Sequence, residues 1–93
     1  MKQIFKYPLE VTDKQTIDMY EGDILSVQVQ KGIPCIWALV DPTKPIKLTF
    51  RIYGTGHPVQ ECSECSEKYL GTFQLYSGDF VGHVFFIQED IVK

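Results

Sequence analysis

The chain has 93 residues, the size of one domain, and a composition of 44% hydrophobic, 23% charged and 13% aromatic residues that is typical of a globular protein. The net charge of −3, with no run of lysines or arginines, argues against duplex DNA or an anionic membrane as the main partner, since both require clustered positive charge. No apolar stretch approaches the roughly 20 residues of a membrane span, and no secretory hydrophobic region is present. We therefore predict a cytoplasmic protein with a single domain, residues 1–93.

Short blocks of β-branched and aromatic residues, separated by Gly, Pro, Asp and Ser, predict an all-β fold with no long helix. We expect a small antiparallel sandwich or partly open barrel of about six strands. The polar stretch from Val59 to Lys68 is the longest segment outside these blocks, and Val59–Glu67 has room for one helical turn. The blocks, in chain order, are Gln3–Tyr7, Thr16–Met19 (a short candidate strand), Ile24–Gln30, Ile33–Val40, Lys47–Tyr53, Tyr69–Tyr76 and Phe80–Gln88.

Three turns predict how the blocks pair. A two-residue turn at Lys31-Gly32 places Ser26 opposite Trp37, Val27 opposite Ile36 and Leu25 opposite Ala38. A second hairpin, turning in the Asp41–Pro45 loop near Lys44, places Trp37 opposite Arg51 and Ala38 opposite Phe50. A third, turning at Ser77-Gly78, places Thr72 opposite His83. Pro34 falls inside a strand that should be central, so it has to lie at a bulge or a strand end.

The first two hairpins sort the side chains of three strands onto the same two faces, which supports their register because a one-residue slip would exchange the faces. One face is predicted to form the core: Leu25, Val27, Val29, Ile36, Ala38, Val40, Leu48, Phe50 and Ile52. The other face carries Ser26, Gln28, Cys35, Trp37, Thr49, Arg51 and Tyr53.

The second face holds the main candidate site. Trp37 and Arg51, the only residues of their types, are predicted to lie opposite one another, flanked by Gln28 and Tyr53. Trp, Tyr and Arg are the residue types enriched at binding hot spots. A planar anion such as a nucleotide could stack on Trp37 or Tyr53 and accept hydrogen bonds from Arg51. The same set would serve a homo-oligomer interface, or form plain surface with a cation–π pair, and the pattern leaves the three open.

The segment Gly54-Thr55-Gly56-His57 follows that strand directly and extends the candidate ligand site to Thr55 and His57. Two glycines within three residues let the backbone approach a ligand closely. The segment lacks the remaining elements of a dinucleotide fingerprint or a P-loop. An ordinary loop at a strand end explains it equally well. Lys47 and Lys68 are lesser candidates for contacts to a phosphate.

The pair Cys62 and Cys65 has the C-x-x-C spacing of two zinc ligands, and His57 could be a third. The fourth would have to be Cys35 or His83. A single pair is a weak signal, and the neighbouring glutamates raise the pKa of thiols, so we predict no metal and no cofactor. Two free thiols in a variable loop are the simpler interpretation.

Catalytic patterns are absent from the sequence. No Ser or Cys lies in a nucleophile elbow, and no two carboxylates are placed on apolar strands as a glycosidase requires. A lone histidine on a strand, as His83 is, most often has a structural role. The sequence predicts that the protein is not an enzyme.

Four segments together are similar to a known family: Ile24–Gln30, Pro34–Pro42, Arg51–Pro58 and Tyr69–Leu75. The chain resembles, over nearly its whole length, short uncharacterised proteins of bacteriophages and prophages. The resemblance implies an accessory protein expressed in the cytoplasm of a host bacterium, and it attaches no activity to particular residues.

The function expected from this resemblance is stoichiometric. Small phage proteins outside the virion commonly counteract host defence, by sequestering a nucleotide-derived immune signal or by blocking a host protein. With the Trp37 and Arg51 face, the first becomes the leading hypothesis: a homo-oligomer, most simply a dimer, that binds the signal. The alternatives are an inhibitor of a host defence or regulatory protein and, third, a small enzyme or zinc-binding module.

Overall fold

The computed structural model describes residues 1–59 and 65–89 of the chain. These residues contain five antiparallel strands that form one sheet. The strands are β1 (Gln3–Pro8), β2 (Lys14–Gln30), β3 (Ile33–Gly54), β4 (Cys65–Leu75) and β5 (Phe80–Glu89). The all-β prediction is confirmed, with five strands because the segments predicted as separate strands merge in β2 and in β3. A helical turn was predicted within Val59–Glu67, of which residues 60–64 lie outside the described residues and Cys65–Glu67 belong to β4. No helix within the described ranges is long and apolar enough to cross a membrane.

β3 is the centre of the sheet and pairs with three other strands. β2 runs along one edge of β3, from Lys14 opposite Arg51 to Gln30 opposite Ile33. β1 pairs with the first half of the other edge and β5 with the last six residues of β3. β4 completes the order β1-β3-β5-β4 by pairing with β5.

The predicted hairpin between the two halves of β3 is wrong. Asp41–Pro45 does not reverse the chain, since Tyr20 pairs with Pro45 and Gly22 with Val40, so that residues 41–44 form a wide bulge opposite Glu21. The Asp41 carboxylate accepts hydrogen bonds from the backbone N–H and the hydroxyl of Thr43, at 3.0 and 2.6 Å, and so stabilises this bulge.

Proline is compatible with this long strand because, among the described residues, no strand pairs with the edge of β3 opposite β2 at these positions. β1 pairs with residues 35–40 and β5 with residues 49–54, so Pro42 and Pro45 fall between them. Pro34 is the second residue of β3, just beyond the β1 ladder, and therefore lies at a strand end as expected.

The core lies between the two halves of the bent sheet and confirms most of the predicted core face. Ile36, Ala38, Val40, Phe50 and Ile52 are buried, and Val27 and Leu48 pack against them. The buried residues of the other strands and segments that belong to this core are Leu9, Met19, Phe73, Leu75 and Val84, and Ile87 of β5 is also buried.

Leu25 and Val29 were wrongly predicted to belong to the core, because they are 51% and 37% exposed. A β-bulge explains the position of Leu25. Ile24 pairs with Ala38 and Ser26 with Trp37, so Leu25 is the extra residue, and Ile24 occupies the position against the core that was predicted for Leu25. Val29 pairs with Pro34 near the end of the β2–β3 hairpin, where the core ends.

β4 packs against β2 without a hydrogen-bonded ladder between them, so the sheet bends towards a barrel but does not close. The approach is closest at Gly71, where an added Cβ would lie 3.0 Å from the Cβ of Val27. Because Gly71 has no side chain, β4 can cross β2 at this point.

Candidate functional site

The structure separates Trp37 from Arg51. Trp37 lies in the first half of β3 between Lys6 of β1 and Ser26 of β2, whereas Arg51 lies in the last part, between Lys14 of β2 and Phe85 of β5. The predicted cross-strand pair of Trp37 and Arg51 is therefore wrong. The reason is the continuation of β3 through the bulge, which removes the hairpin that would have brought the two residues together.

The outer surface around Trp37 combines one half-buried aromatic ring with polar neighbours. Gln28 is exposed and pairs with Cys35, whose thiol is buried. The Lys6 ammonium group donates to the side-chain carbonyl of Gln30, so this hydrogen bond crosses β3 from β1 to β2. The cation next to Trp37 in the register is thus Lys6.

Gly54–His57 forms a tight turn after β3. The His57 N–H donates to the Gly54 carbonyl at 3.1 Å, and Gly56 has a φ of 85°, which favours glycine. The imidazole of His57 folds back over Gly54, where a Cβ would lie 2.8 Å from the ring. The glycines thus set the direction of His57.

Arg51, Tyr53 and His57 line one cavity of about 290 Å³, together with Asp13, Ile52 and Pro58. Three of the six predicted ligand-binding residues therefore meet at one concave surface. Asp13 reaches it because its carbonyl accepts a hydrogen bond from the Ile52 N–H at 3.3 Å, where β2 begins. Gln28, Trp37 and Thr55 are not part of this cavity.

Glu67 of β4 holds two walls of the cavity in place. Its Oε1 accepts a hydrogen bond from the Tyr53 hydroxyl at 2.8 Å and lies 3.5 Å from Nε of Arg51 in an ion pair. The side chains of Arg51 and Glu67 are 19% and 14% exposed, and Tyr53 is 8% exposed, so water screens these contacts little. The guanidinium is preorganised, and much of its charge is balanced by Glu67.

Burial raises the pKa of Tyr53, and the hydrogen bond to Glu67 and the negative charge of Glu67 raise it further, against the opposing effect of Arg51. We expect Glu67→Gln to lower the pKa of Tyr53 and Arg51→Gln to raise it. The pKa of Tyr53 is higher in the folded than in the unfolded state, so the neutral Tyr53 side chain contributes to stability. This contribution is complete below about pH 10 and is lost as the pH rises through the pKa of Tyr53 in the folded state.

The measurement is a pH titration of the ring-carbon NMR signals of ¹³C-labelled tyrosine, with Tyr53→Phe to assign the Tyr53 signal. The same titration of the urea-unfolded protein is the reference for each variant. A Tyr53 signal that titrates at the same pH in the folded and in the unfolded protein would contradict the described contacts.

A second polar cluster surrounds His83, which pairs with Thr72 as predicted. Nε2 of His83 lies 2.7 Å from the Thr55 hydroxyl, and Nδ1 lies 2.9 Å from the hydroxyl of Thr72, which in turn contacts the Tyr69 hydroxyl. Thr55 therefore contacts His83 and not the cavity. The partners of both ring nitrogens account for His83 as a structural residue of this surface.

The zinc alternative involves residues that lie partly outside the described part of the chain. Cys62 falls in residues 60–64, and the side chain of Cys65 is not described. Among residues 1–59 and 65–89, no three His, Cys, Asp or Glu side chains are arranged to hold a metal ion.

Comparison with protein families gives one match, to a family described as a domain of unknown function, DUF7352, over residues 1–92. The chain belongs to this family. Comparisons with curated proteins and with solved structures gave no significant match. Since the description of DUF7352 names no activity, the site in this family member has to be interpreted from its chemistry.

Sequence reasoning missed two polar residues of the site, Asp13 and Glu67. Both are acids outside the predicted strands, and each reaches the site through pairing between distant parts of the chain. The length of β4 is the missed signal for Glu67, since β4 begins at Cys65 and not at Tyr69 as predicted.

Proposed function

We propose that this DUF7352 protein is a stoichiometric binding protein that takes up a nucleotide-like small molecule in the cavity between Asp13 and His57. The observation that carries the proposal is the convergence of Arg51, Tyr53 and His57 on one concave surface. In the cytoplasm of a phage-infected bacterium, such binding would sequester a nucleotide-derived immune signal, in agreement with the phage context implied by the sequence resemblance.

The chemistry of the cavity favours recognition of a base more than of a phosphate chain. The Asp13 carboxylate accepts hydrogen bonds from ring and amino N–H groups, the His57 imidazole offers a face for stacking, and Arg51 is already close to Glu67. A volume of about 290 Å³ is near the lower end of ligand cavities, roughly 300–1,000 Å³. It suits a single nucleoside unit, and a larger signal would need enclosure by a second copy of the chain.

The Trp37 surface is the part of the molecule that we propose for such self-association. Trp37 is half-buried, and on neighbouring β1 the side chain of Ile4 is 62% exposed, so a dimer would remove apolar surface from water. Light scattering at tens of micromolar protein should give the mass of a dimer. A monomer mass would remove self-association from the proposal and leave the cavity of one chain as the binding site.

The test of binding uses small-molecule extract from infected cells. We expect the purified protein, after incubation, washing and heat denaturation, to release an intact nucleotide that mass spectrometry identifies. Asp13→Ala and His57→Ala should each reduce the released amount at least tenfold, because each removes one contact of the base. Tyr76→Ala is the matched control and should release as much nucleotide as the unmodified protein, since Tyr76 is 75% exposed and does not line the cavity.

Three other outcomes would contradict this function. Chemically altered nucleotides would indicate an enzyme. Loss of binding in Trp37→Ala but not in His57→Ala would place the ligand on the other surface. Release of no nucleotide, with capture of a host protein by the same sample, would favour the inhibitor hypothesis. Circular dichroism of each variant separates loss of binding from loss of folding.

A further inference from the structure

A groove of about 420 Å³ opens where β2 and β4 face each other without a ladder. Its floor consists of apolar side chains that pack against the core, contributed by all four surrounding strands: Ile24, Ile46, Leu48, Leu70 and Phe86. Its walls are the bent segment of β2 around Leu25 and the part of β4 around Tyr69, side chains that are 51% and 53% exposed. The hydrophobic core is thus accessible from outside at this point.

β-Bulges produce the groove. The register of β2 shifts between Tyr20 and Gly22 and again between Ile24 and Ser26, and the register of β4 shifts between Tyr69 and Gly71. Bulges bend a strand and end regular pairing, so the two strands separate here although they touch nearby at Gly71. Among the described residues, β2 pairs only with β3 and β4 only with β5, so the two edges facing the groove form no ladder.

We propose that this β2–β4 groove binds an extended peptide segment of a partner protein, with apolar side chains at alternate positions on its floor and a basic residue beside Glu21 and Asp23. A strand edge without a ladder offers backbone N–H and C=O groups to an added strand. The apolar floor accepts every second side chain of such a strand. The proposal goes beyond the small-molecule function, because the groove and the Asp13–His57 cavity share no residue.

The charge of the partner follows from the rim of the groove. Glu21 and Asp23 are exposed carboxylates on the β2 wall, and Lys68 is the one basic residue among the described residues that line the groove. Two negative charges against one positive charge attract a basic segment and disfavour an acidic one. A second copy of this chain suits the groove less well. Its exposed strand β1 would make a head-to-tail contact that continues from chain to chain without closing.

The probe is a fluorescein-labelled ten-residue peptide of alternating Val and Lys, and binding is measured by fluorescence anisotropy. We expect this peptide to bind at least tenfold more tightly than the alternating Val and Glu peptide. The same basic peptide with N-methyl groups on alternate backbone nitrogens, which remove the donors on one edge, should also bind at least tenfold more weakly.

Matched substitutions locate the site. Leu25→Ser and the double variant Glu21→Lys/Asp23→Lys should each weaken binding of the basic peptide about tenfold. Val11→Ser is the control, because Val11 is as exposed as Leu25, at 51%, but does not line the groove. Both serine variants change exposed side chains, so both should remain folded.

Equal weakening by Leu25→Ser and Val11→Ser, or equal affinity for the acidic and basic peptides, would overturn the proposal. A dimer in solution that Leu25→Ser dissociates would also overturn it, because the groove would then be an interface between copies of this chain. Each of these results would contradict peptide binding in the groove and would leave the nucleotide experiment unaffected, since none of these substitutions changes a residue that lines the Asp13–His57 cavity.

Discussion

Replacing Phe50 with alanine is expected to lower the free energy of unfolding by about 3–5 kcal/mol, the range for deletion of a buried phenylalanine side chain. Phe50 is 0% exposed and lies between Gln15 of β2 and Phe86 of β5 in the register. Its ring packs against that of Phe86, with 6.2 Å between the ring centroids, so truncation of Phe50 leaves a cavity where three strands meet.

Urea denaturation followed by circular dichroism measures this change. Leu25→Ala is the control, because a side chain that is 51% exposed should lose less than about 1 kcal/mol on truncation. Similar losses for Phe50→Ala and Leu25→Ala would show that the strand register described here is incorrect.

Gly22→Ala is expected to cost about 3 kcal/mol or more, because it forces backbone atoms apart in the bend of β2. A Cβ on Gly22 would lie 1.9 Å from the carbonyl oxygen of Leu39 and 2.7 Å from the Cα of Val40. Neither atom can move away without shifting β3, so the β2–β3 pairing next to the wide bulge would be disturbed.

The matched comparison is Gly32→Ala in the β2–β3 turn. Gly32 has a φ of 78° and no neighbour within 4 Å of an added Cβ, so alanine meets only the conformational penalty of about 1–2 kcal/mol. The midpoint of thermal unfolding and the yield of soluble protein should therefore both be lower for Gly22→Ala than for Gly32→Ala. The opposite order would mean that β2 and β3 are not in close contact at Gly22.

The parts of the fold that the sequence predicts correctly are those closed by short turns. The Lys31-Gly32 turn gives the pairs Val27 with Ile36 and Ser26 with Trp37, and the Ser77-Gly78 turn gives Thr72 with His83. In these hairpins the chain reverses within a few residues, so the turn fixes the register locally.

The parts that were mispredicted depend on distant segments. Asp41–Pro45 has the composition of a loop, and two prolines remain in a long strand because, in the described part of the chain, neither β1 nor β5 pairs with β3 there. The bulge at Leu25 has no glycine to mark it. The sequence pattern marks neither of these two features. It therefore could not show that Trp37 and Arg51 lie apart, or that Asp13 and Glu67 join the site.

The position of Cys35 also bears on how motions of this protein can be observed. Its thiol is 2% exposed, in a row with Pro8 of β1 and Gln28 of β2, at the level where the Lys6–Gln30 hydrogen bond crosses β3. An alkylating reagent can reach this sulfur only when β1 or the β2–β3 hairpin moves away. With Cys62 and Cys65 replaced by serine, Cys35 is the one thiol that an alkylating reagent can label. The rate of this labelling reports how often β1 or the β2–β3 hairpin moves away from Cys35, and the measurement needs no ligand.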